Sequence, residues 1–265
     1  MEKITILSRS DDLGSSLSAN CAIERVVDAG FIRNVSVMAC GPYVEEAAGR
    51  LAHRKDICFG MHTTLNAEWD RVKWSPVSGQ GPESGLTDEN GNFLADPSMF
   101  LTSKPTVEAV MREVEAQFEK LIEMGFDIRY VDSHMFSEMF IPGMDEAMEV
   151  FIREKGLRDH MYFYHFPPGL TDLSKGPDCL EGVPAGQYLL ISHPSLDTPE
   201  MRMTGNSGVS GEIVAAQRAA ETAYLSDPSF VAAMASAGIQ TVRYDEAEFD
   251  RRLTVADMIR ILGGT

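Results

Sequence analysis

The sequence predicts an α/β fold built around a largely parallel sheet. Short apolar runs alternate with longer segments of helical period, which is the pattern of successive βα units. The chain has 265 residues, of which 44% are hydrophobic, so it is long enough to bury a large core. No internal repeat and no low-complexity tract interrupts it. We therefore expect one domain over residues 1–265.

The order of the elements follows from these runs. The clearest helix extends from Thr106 to Met124, because apolar residues recur there at helical spacing. Thr106 is suited to cap its start and Gly125 to end it. Further helices are predicted over residues 20–29, 211–224 and 255–262. Seven strands are expected, starting near Ile4, Val35, Ile57, Tyr130, Tyr162, Tyr188 and Ile239.

Two segments break this rhythm. Residues 66–105 are rich in Gly, Pro, Ser, Asp and Asn and contain both tryptophans of the chain, Trp69 and Trp74. Residues 166–186 form a second such stretch. A long insertion directly after a strand is usually a functional loop or lid. We expect both segments to be long loops of the same domain.

Composition restricts the partners of the chain. Lys and Arg number 23 against 40 Asp and Glu, which gives a formal net charge of −17. This charge opposes binding to nucleic acid or to an anionic membrane surface and favours neutral or cationic small molecules. No apolar run is long enough to cross a membrane, and the first residues lack the basic and apolar regions of a signal peptide. We therefore expect a cytoplasmic protein.

The residues best suited to chemistry follow three of the predicted strands. Asp11 and Asp12 come after the first strand, His62 after the third, and Asp132 and His134 after the fourth. Because the carboxyl ends of parallel strands converge, we expect these side chains to meet. One Asp and two His ligands leave coordination positions open for water and substrate, as in a catalytic metal site. Neighbouring residues of an extended strand point in opposite directions, so one aspartate could bind the metal while the other moves a proton.

Each of these motifs also has an ordinary structural explanation. A histidine beside a strand is commonly a hydrogen-bonded core or surface residue, and Asp-Asp-x-Gly also forms a turn that caps a helix. The metal site is predicted because the motifs occupy equivalent strand ends. His193, which follows the sixth predicted strand, would face the same edge.

Together these motifs resemble the YdjC-like carbohydrate deacetylases, a family that includes the chitooligosaccharide deacetylases. The resemblance rests on Ser-Asp-Asp-Leu-Gly at residues 10–14, Gly-Met-His-Thr-Thr-Leu at 60–65, Val-Asp-Ser-His at 131–134 and His-Pro at 193–194. These blocks extend over nearly the whole chain in the family's order, and residues 30–38 and 218–225 add to the match. The resemblance implies an irregular seven-stranded (β/α) barrel, similar to a TIM barrel.

The resemblance also implies an activity and a ligand set. One divalent metal ion would be bound by Asp12, His62 and His134, with Asp11 as the general base. The enzyme would remove acetyl groups from N-acetylated sugars or oligosaccharides by hydrolysis of an amide C–N bond. Zinc or magnesium is the expected ion, although Asp and His ligands also suit manganese, cobalt and nickel.

Proton transfer and positioning need further residues. His193 is the candidate acid that protonates the departing amine. Arg218 could orient Asp11 through a bidentate pair, or it could pair with Glu221 on the surface of one helix.

Substrate binding is assigned to three residues. Trp69 and Trp74 could stack on sugar rings, although they could equally pack the loop that carries them. Asp132, beside the third motif's histidine, is assigned to the substrate as well.

The chain departs from the family pattern at two single positions and in the loop over residues 137–142. Family members usually carry a second His where this chain has Phe136, and they tend to have Gly where Ser195 follows His193-Pro194. The alternatives therefore include a hydrolase of another ester, amide or phosphoester, and a non-catalytic sugar-binding protein. An iron oxygenase can also use two His and one carboxylate, but the βα alternation argues against that class. The sugar, its linkage and the oligomeric state stay open, with a homodimer as the commonest default.

Overall fold

The computed structural model describes residues 3–170 and 172–263 of the chain. In these residues the elements alternate between strand and helix along much of the chain, with several short 3-10 turns between them. The strands are β1 (Ile4–Leu13), β2 (Asn34–Val37), β3 (Cys58–Thr63), β4 (Ile128–Ser133), β5 (Arg158–Asp159), β6 (Gly186–Ser192) and β7 (Gln240–Val242). The helices are α1 (Leu17–Ala29), α2 (Val44–Leu51), α3 (Phe100–Ser103), α4 (Val107–Glu123), α5 (Met144–Lys155), α6 (Gly211–Leu225), α7 (Pro228–Ser236) and α8 (Val255–Gly263).

The seven strands form one sheet in which every strand pairing is parallel. Its order is β5-β4-β3-β2-β1-β6, and β7 pairs with the start of β1. Within the described residues β5 and β6 are not paired with each other, so the pairings show a sheet rather than a closed barrel. The predicted parallel α/β sheet is confirmed, while closure into a complete barrel stays a prediction.

The sheet is buried on both faces and curls around its own interior. One large apolar cluster lies between the sheet and the helices, and it includes Ile6 of β1 and Val131 of β4. Their neighbours Leu7 and Tyr130 belong to a second buried cluster, together with Leu189 of β6. In a flat sheet β4 and β6 would be about 19 Å apart, at roughly 4.8 Å per strand spacing. Their side chains share one cluster because the sheet is curved.

A buried asparagine closes the fork where β1 changes partner. One edge of β1 pairs with β7 at residues 5–7 and then with β2 from Arg9 onwards. At this fork the Asn34 amide donates to the backbone carbonyls of Ser8 and Val242, at 3.0 and 2.9 Å. Its oxygen accepts from the Tyr244 backbone N–H at 2.8 Å. Backbone groups that lose their ladder partners at the fork are thus satisfied by one side chain.

Helices α1 and α4 start after residues that favour helix starts. The Thr106 hydroxyl accepts from the Ala109 N–H at the start of α4, as the sequence predicts. Helix α1 begins earlier than expected, after Ser16, and ends at Gly30, which adopts a left-handed conformation with φ 92°. No helix among the described residues is long and apolar enough to span a membrane.

The fifth strand is shorter and earlier than the sequence predicts. A strand starting near Tyr162 is wrong, because residues 160–162 form a 3-10 turn and β5 consists only of Arg158 and Asp159. The Asp159 carboxylate accepts from the Met161 N–H and so stabilises the turn. An aspartate that bonds its own backbone two residues on ends the strand there.

The two long loops are anchored to the core. Within residues 66–105 the side chains of Leu86, Phe93 and Phe100 are at most 1% exposed. The buried Glu113 of α4 accepts from two backbone N–H groups of this loop, at residues 77 and 78. The second loop contains 3-10 turns over Leu173–Leu180, and Thr171 within it lies outside the described residues.

Two glycine substitutions are expected to change stability in opposite directions. A Cβ atom on Gly60 would lie 2.1 Å from the Tyr130 ring, which stacks on Tyr244 with ring centroids 4.0 Å apart. We expect Gly60→Ala to lower the free energy of unfolding by about 1–3 kcal/mol through overpacking.

Gly49 lies inside α2, where a Cβ meets nothing within 4 Å, and Gly49→Ala should raise the free energy of unfolding by roughly 0.5–1 kcal/mol. Urea unfolding checks both, and a neutral Gly60→Ala would contradict the close packing.

Candidate metal centre and cleft

The carboxyl ends of β1, β3 and β4 bring the candidate residues together. His62 on β3 is in register with Asp132 on β4, and His134 follows β4 directly. Asp12 lies near the end of β1, two strands away from β3. Ligand atoms of Asp12, His62 and His134 lie within 4.8 Å of one another, and all three residues are buried. The convergence expected from the sequence is therefore observed.

A bulge in β1 turns both aspartates toward the same cavity. The register between β1 and β2 shifts between Ser10 and Leu13, and Asp12 has φ 67°. At such a bulge, successive side chains no longer alternate between the two faces of the sheet. Asp11 and Asp12 line one cavity, so the prediction that they point in opposite directions is wrong. The physical reason is the left-handed conformation of Asp12, which aspartate tolerates better than most residues.

The three candidate ligand atoms form a nearly equilateral triangle. His134 Nδ1 lies 3.3 Å from His62 Nε2, and each nitrogen lies 3.6 Å from Asp12 Oδ1. Ligands about 2.1 Å from a tetrahedral ion would lie about 3.4 Å from each other. The spacing of the three atoms therefore fits one small divalent cation.

The Asp12 carboxylate is polarised toward this triangle. Its Oδ2 lies 2.8 Å from Nη1 of Arg218, whereas Oδ1 is buried and has no hydrogen-bond partner among the described residues. Burial raises the pKa of Asp12, but Arg218 and the two histidines hold it well below its usual range. A buried, ionised and unpartnered oxygen is costly unless a cation meets it. This orphaned oxygen is the strongest single sign of a metal site.

Both histidines are oriented by carboxylates behind them. His62 Nδ1 lies 3.1 Å from Asp132 Oδ1, and His134 Nε2 lies 3.0 Å from Glu68 Oε2. When the rings are neutral, as metal binding requires, donation of these outer N–H groups leaves a lone pair on the inner nitrogens, His62 Nε2 and His134 Nδ1. Carboxylate–histidine pairs of this kind commonly support metal ligands.

The electrostatics of the centre favour positive charge. Burial alone lowers the pKa of His62, but the carboxylates of Asp132 and Asp11 and hydrogen bonds to Asp12 and Asp132 raise it to about 10. Burial likewise lowers the pKa of His134, whereas Glu68 and Asp12 raise it to about 9. The surrounding carboxylates thus stabilise a cation at this position.

Arg218 and Asp11 have other partners than the sequence suggests. Arg218 pairs with Asp12, so the predicted pair with Asp11 is wrong. The alternative partner Glu221 instead accepts from the His193 backbone N–H. Asp11 is held by Arg9, whose Nε and Nη2 donate to its two oxygens at 2.7 and 2.8 Å. The Arg218–Asp12 pair joins α6 to β1, and the Arg9–Asp11 pair lies within β1. Neither pair has a spacing that a helical pattern in the sequence could reveal.

Two adjoining cavities of about 390 Å³ each form a cleft at the centre. Asp12, Trp69 and Arg218 line both cavities, so the two cavities meet at the Asp12 side of the centre. The cavity that contains all three candidate ligands, here named the inner cavity, is also lined by Arg9, Asp11, His62, Glu68, His134, Phe136, Tyr164, His193 and Asn206. The outer cavity is also lined by Ser15, Tyr43, Arg71, Lys73, Trp74 and Glu200.

The three residues assigned to substrate differ in their placement. Trp69 is partly exposed and lines both cavities. Trp74 is 5% exposed, its indole N–H donates to the Asn66 carbonyl at 2.6 Å, and its ring packs edge-on against His134. The Asp132 side chain is fully buried, and its oxygens contact His62, Arg9 and Ser36. The structure therefore places Asp132 behind His62 rather than against a substrate.

Sequence reasoning missed two residues of the centre. Glu68 is 10% exposed at its side chain and supports His134 from the long loop. Arg9 is buried and contacts Asp11 and Asp132. In the sequence, Glu68 and Arg9 are visible only as charged residues near the His62 and Asp11-Asp12 motifs. Charged residues are common near any motif, so this signal is weak. Their roles became visible only when the loop and the strands were placed in space.

Comparison with known proteins identifies similar chains. The family described as YdjC-like protein matches residues 5–175. A carbohydrate deacetylase of Geobacillus stearothermophilus is 26% identical over 253 residues, which cover 89% of this chain and 95% of that protein. A carbohydrate deacetylase of Thermoanaerobacter pseudethanolicus is 27% identical over 145 residues, and this match spans 55% of each chain.

A solved structure shares the fold. A protein of Enterococcus faecalis V583, provisionally described as a cellobiose-phosphate cleavage protein, superposes with a TM-score of 0.72. The match covers 92% of this chain and 98% of that protein at 16% sequence identity. At this identity the likeness establishes the arrangement of strands and helices only.

Proposed function

The chain belongs to the YdjC-like family, and we propose that it is a carbohydrate deacetylase that depends on one divalent metal ion. The reaction would be hydrolysis of the C–N amide bond between an acetyl group and an amino sugar. Similar proteins named carbohydrate deacetylase support the substrate class. The observation that carries the metal dependence is the buried, unpartnered Oδ1 of Asp12 beside two carboxylate-oriented histidines.

Asp12, His62 and His134 would hold the ion. Two imidazole nitrogens and one carboxylate oxygen suit zinc, and they also accept several other divalent ions. When bound, such an ion polarises an amide carbonyl and makes water a better nucleophile. Arg218 keeps one oxygen of Asp12 occupied, so that the other faces the histidines.

We assign the proton transfers to two residues of the inner cavity. Asp11 is an oriented carboxylate beside Asp12, and we assign it to removal of the proton from the attacking water. The His193 side chain lines the same cavity, and we assign it to protonation of the departing amine. Its backbone N–H donates to Glu221, which fixes the position of the residue.

The cleft provides room for a carbohydrate. Trp69 lies where the two cavities meet and would stack on a sugar ring. Trp74 packs behind His134 and would act on substrate only through that ring. A cavity of about 390 Å³ on each side leaves space beyond the reacting acetyl group.

Acetate release tests the proposed function. We expect the purified protein to release acetate from N-acetylated oligosaccharides, to stop after treatment with a chelator, and to recover when zinc or another divalent ion is returned. Unchanged activity after full metal removal would contradict metal dependence. Sugar binding without acetate release, with metal bound, would instead identify a non-catalytic homologue.

Loss of the carboxylate behind His134 should weaken metal binding. Glu68→Gln removes the charge that orients and polarises the ring, and we expect metal affinity to fall by roughly 10–100-fold. Competition with a chromophoric chelator measures this affinity. Glu200→Gln is the control, because Glu200 lines the outer cavity and accepts from the Leu17 and Ser18 N–H groups at the start of α1. Equal affinities of the two variants would show that Glu68 does not support the ligand.

A further inference from the structure

A buried arginine, Arg9, lies between the carboxylates of Asp11 and Asp132. Arg9 is 1% exposed and is the largest of the fully buried side chains. It donates from Nε and Nη2 to both oxygens of Asp11, at 2.7 and 2.8 Å. Its Nη1 lies 2.9 Å from Asp132 Oδ2 and donates to the Tyr244 hydroxyl at 3.0 Å. One guanidinium thus contacts both the candidate base and the carboxylate that orients His62.

We propose that Arg9 is a positioning residue for the deacetylation, and that it acts by fixing Asp11 relative to Asp132 and His62. This proposal rests on the proposed function and extends it to a residue outside the ligand set. Arg9 lines the cavity beside the candidate ligands, but its three nitrogens already contact Asp11, Asp132 and Tyr244, so we assign it to positioning rather than to contact with the substrate.

The surroundings of Arg9 hold the guanidinium in one plane. Tyr244, which accepts from it, stacks on Tyr130 with ring centroids 4.0 Å apart. The Tyr164 ring lies 5.9 Å from the guanidinium carbon. Asp132 Oδ2 also accepts from the Ser36 hydroxyl at 2.8 Å. The aromatic rings restrict rotation of the Arg9 guanidinium. The Ser36 hydroxyl and the guanidinium together restrict the carboxylate of Asp132, and the guanidinium restricts that of Asp11.

The geometry requires arginine rather than any cation. A lysine ammonium is a point charge, whereas the guanidinium binds one carboxylate through two parallel bonds and keeps a further nitrogen for another. Without this fork, Asp11 would repel the nearby carboxylates of Asp12 and Asp132 and could turn away from the water that it must deprotonate. A misplacement of about 1 Å at a reacting group can cost on the order of 10²-fold in rate.

Kinetics separate positioning from simple folding. We expect Arg9→Lys to lower kcat by about 10²-fold with KM and bound metal close to wild type. If Arg9 acts through Asp11, the same change made in an Asp11→Asn background should lower kcat by less than about threefold, because residues that act as a unit are not additive. Full additivity of the two losses would overturn the proposal.

A second measurement needs no activity. In metal-free protein, Arg9→Gln leaves Asp11 and Asp132 buried without their cation, so its melting temperature should fall. The double variant Arg9→Gln/Asp11→Asn removes one of these charges and should melt above the single variant Arg9→Gln. A double variant that melts at or below the single variant would overturn the pairing.

Arg252 offers a matched control. It binds Asp159 and Asp145 at 2.7 Å each, outside both cavities of the cleft. We expect Arg252→Lys to lower the melting temperature while kcat stays at the wild-type value. An equal loss of kcat in both lysine variants would reduce Arg9 to a general stabilising residue. A wild-type protein without acetate release would contradict the proposed function, and the unfolding comparison would still decide whether Arg9 holds the two carboxylates.

Discussion

Asp12→Ala is expected to abolish metal binding and to lower turnover by roughly 10³-fold or more, since a catalytic ion supplies several kcal/mol of transition-state stabilisation. Asp12 contributes the single carboxylate oxygen of the triangle formed with His62 and His134. Its loss has a second effect, because Arg218 would then present an unpaired positive charge to the two histidines. The variant should therefore repel a cation as well as lack a ligand.

Metal content after dialysis against a defined ion measures this effect, and acetate release measures its consequence. Asp56→Ala is a suitable control, because Asp56 also pairs with an arginine, Arg54, but lies at the surface. We expect the control to keep metal and turnover. Full metal occupancy in Asp12→Ala would show that the ion, if present, is held elsewhere.

Asp11→Asn is expected to keep the metal and to lose turnover by about 10²–10⁴-fold, the usual contribution of a general base. Asparagine has nearly the same shape and still offers one oxygen to Arg9, so the local structure should survive. It cannot accept a proton from water. Metal content and melting temperature, measured beside kcat, separate loss of chemistry from loss of the site.

An Asp11→Asn variant with wild-type turnover would rule Asp11 out as the base. His193→Gln completes the comparison, because the proposed acid acts at the other end of the reaction. If His193 protonates the amine, we expect this variant also to retain metal while kcat falls by roughly 10²-fold or more. Retained activity in the His193 variant alone would leave the base assigned and the acid open.

Local sequence signals predicted the elements whose stability is decided locally. Thr106 caps α4, and Gly30 ends α1, because each satisfies backbone groups of its own helix. The apolar runs of β1 and β6 predicted buried strands, because strands of a parallel sheet that is covered on both faces are apolar at consecutive positions. The signal failed near Tyr162, where an apolar run is present but Asp159 forms a turn with its own backbone.

The candidate site divides in a similar way. The convergence of Asp12, His62 and His134 could be predicted, because strand order and parallel direction are enough to bring strand ends together. The partner of Arg218 could not be predicted, and neither could the shared orientation of Asp11 and Asp12. The first depends on where α6 packs, and the second on one bulge in β1.

The sequence by itself determined the parallel α/β sheet, the family and the residues that could hold a metal, because these depend on periodicity and on motifs within short segments. Tertiary structure decided how those residues are supported: Glu68 behind His134, Asp132 behind His62, and Arg9 between Asp11 and Asp132. Such contacts join residues that are far apart in the chain, or that a bulge reorients. Their energy comes from burial and charge pairing in the folded interior, and neither exists until the sheet has curled and the loops have packed.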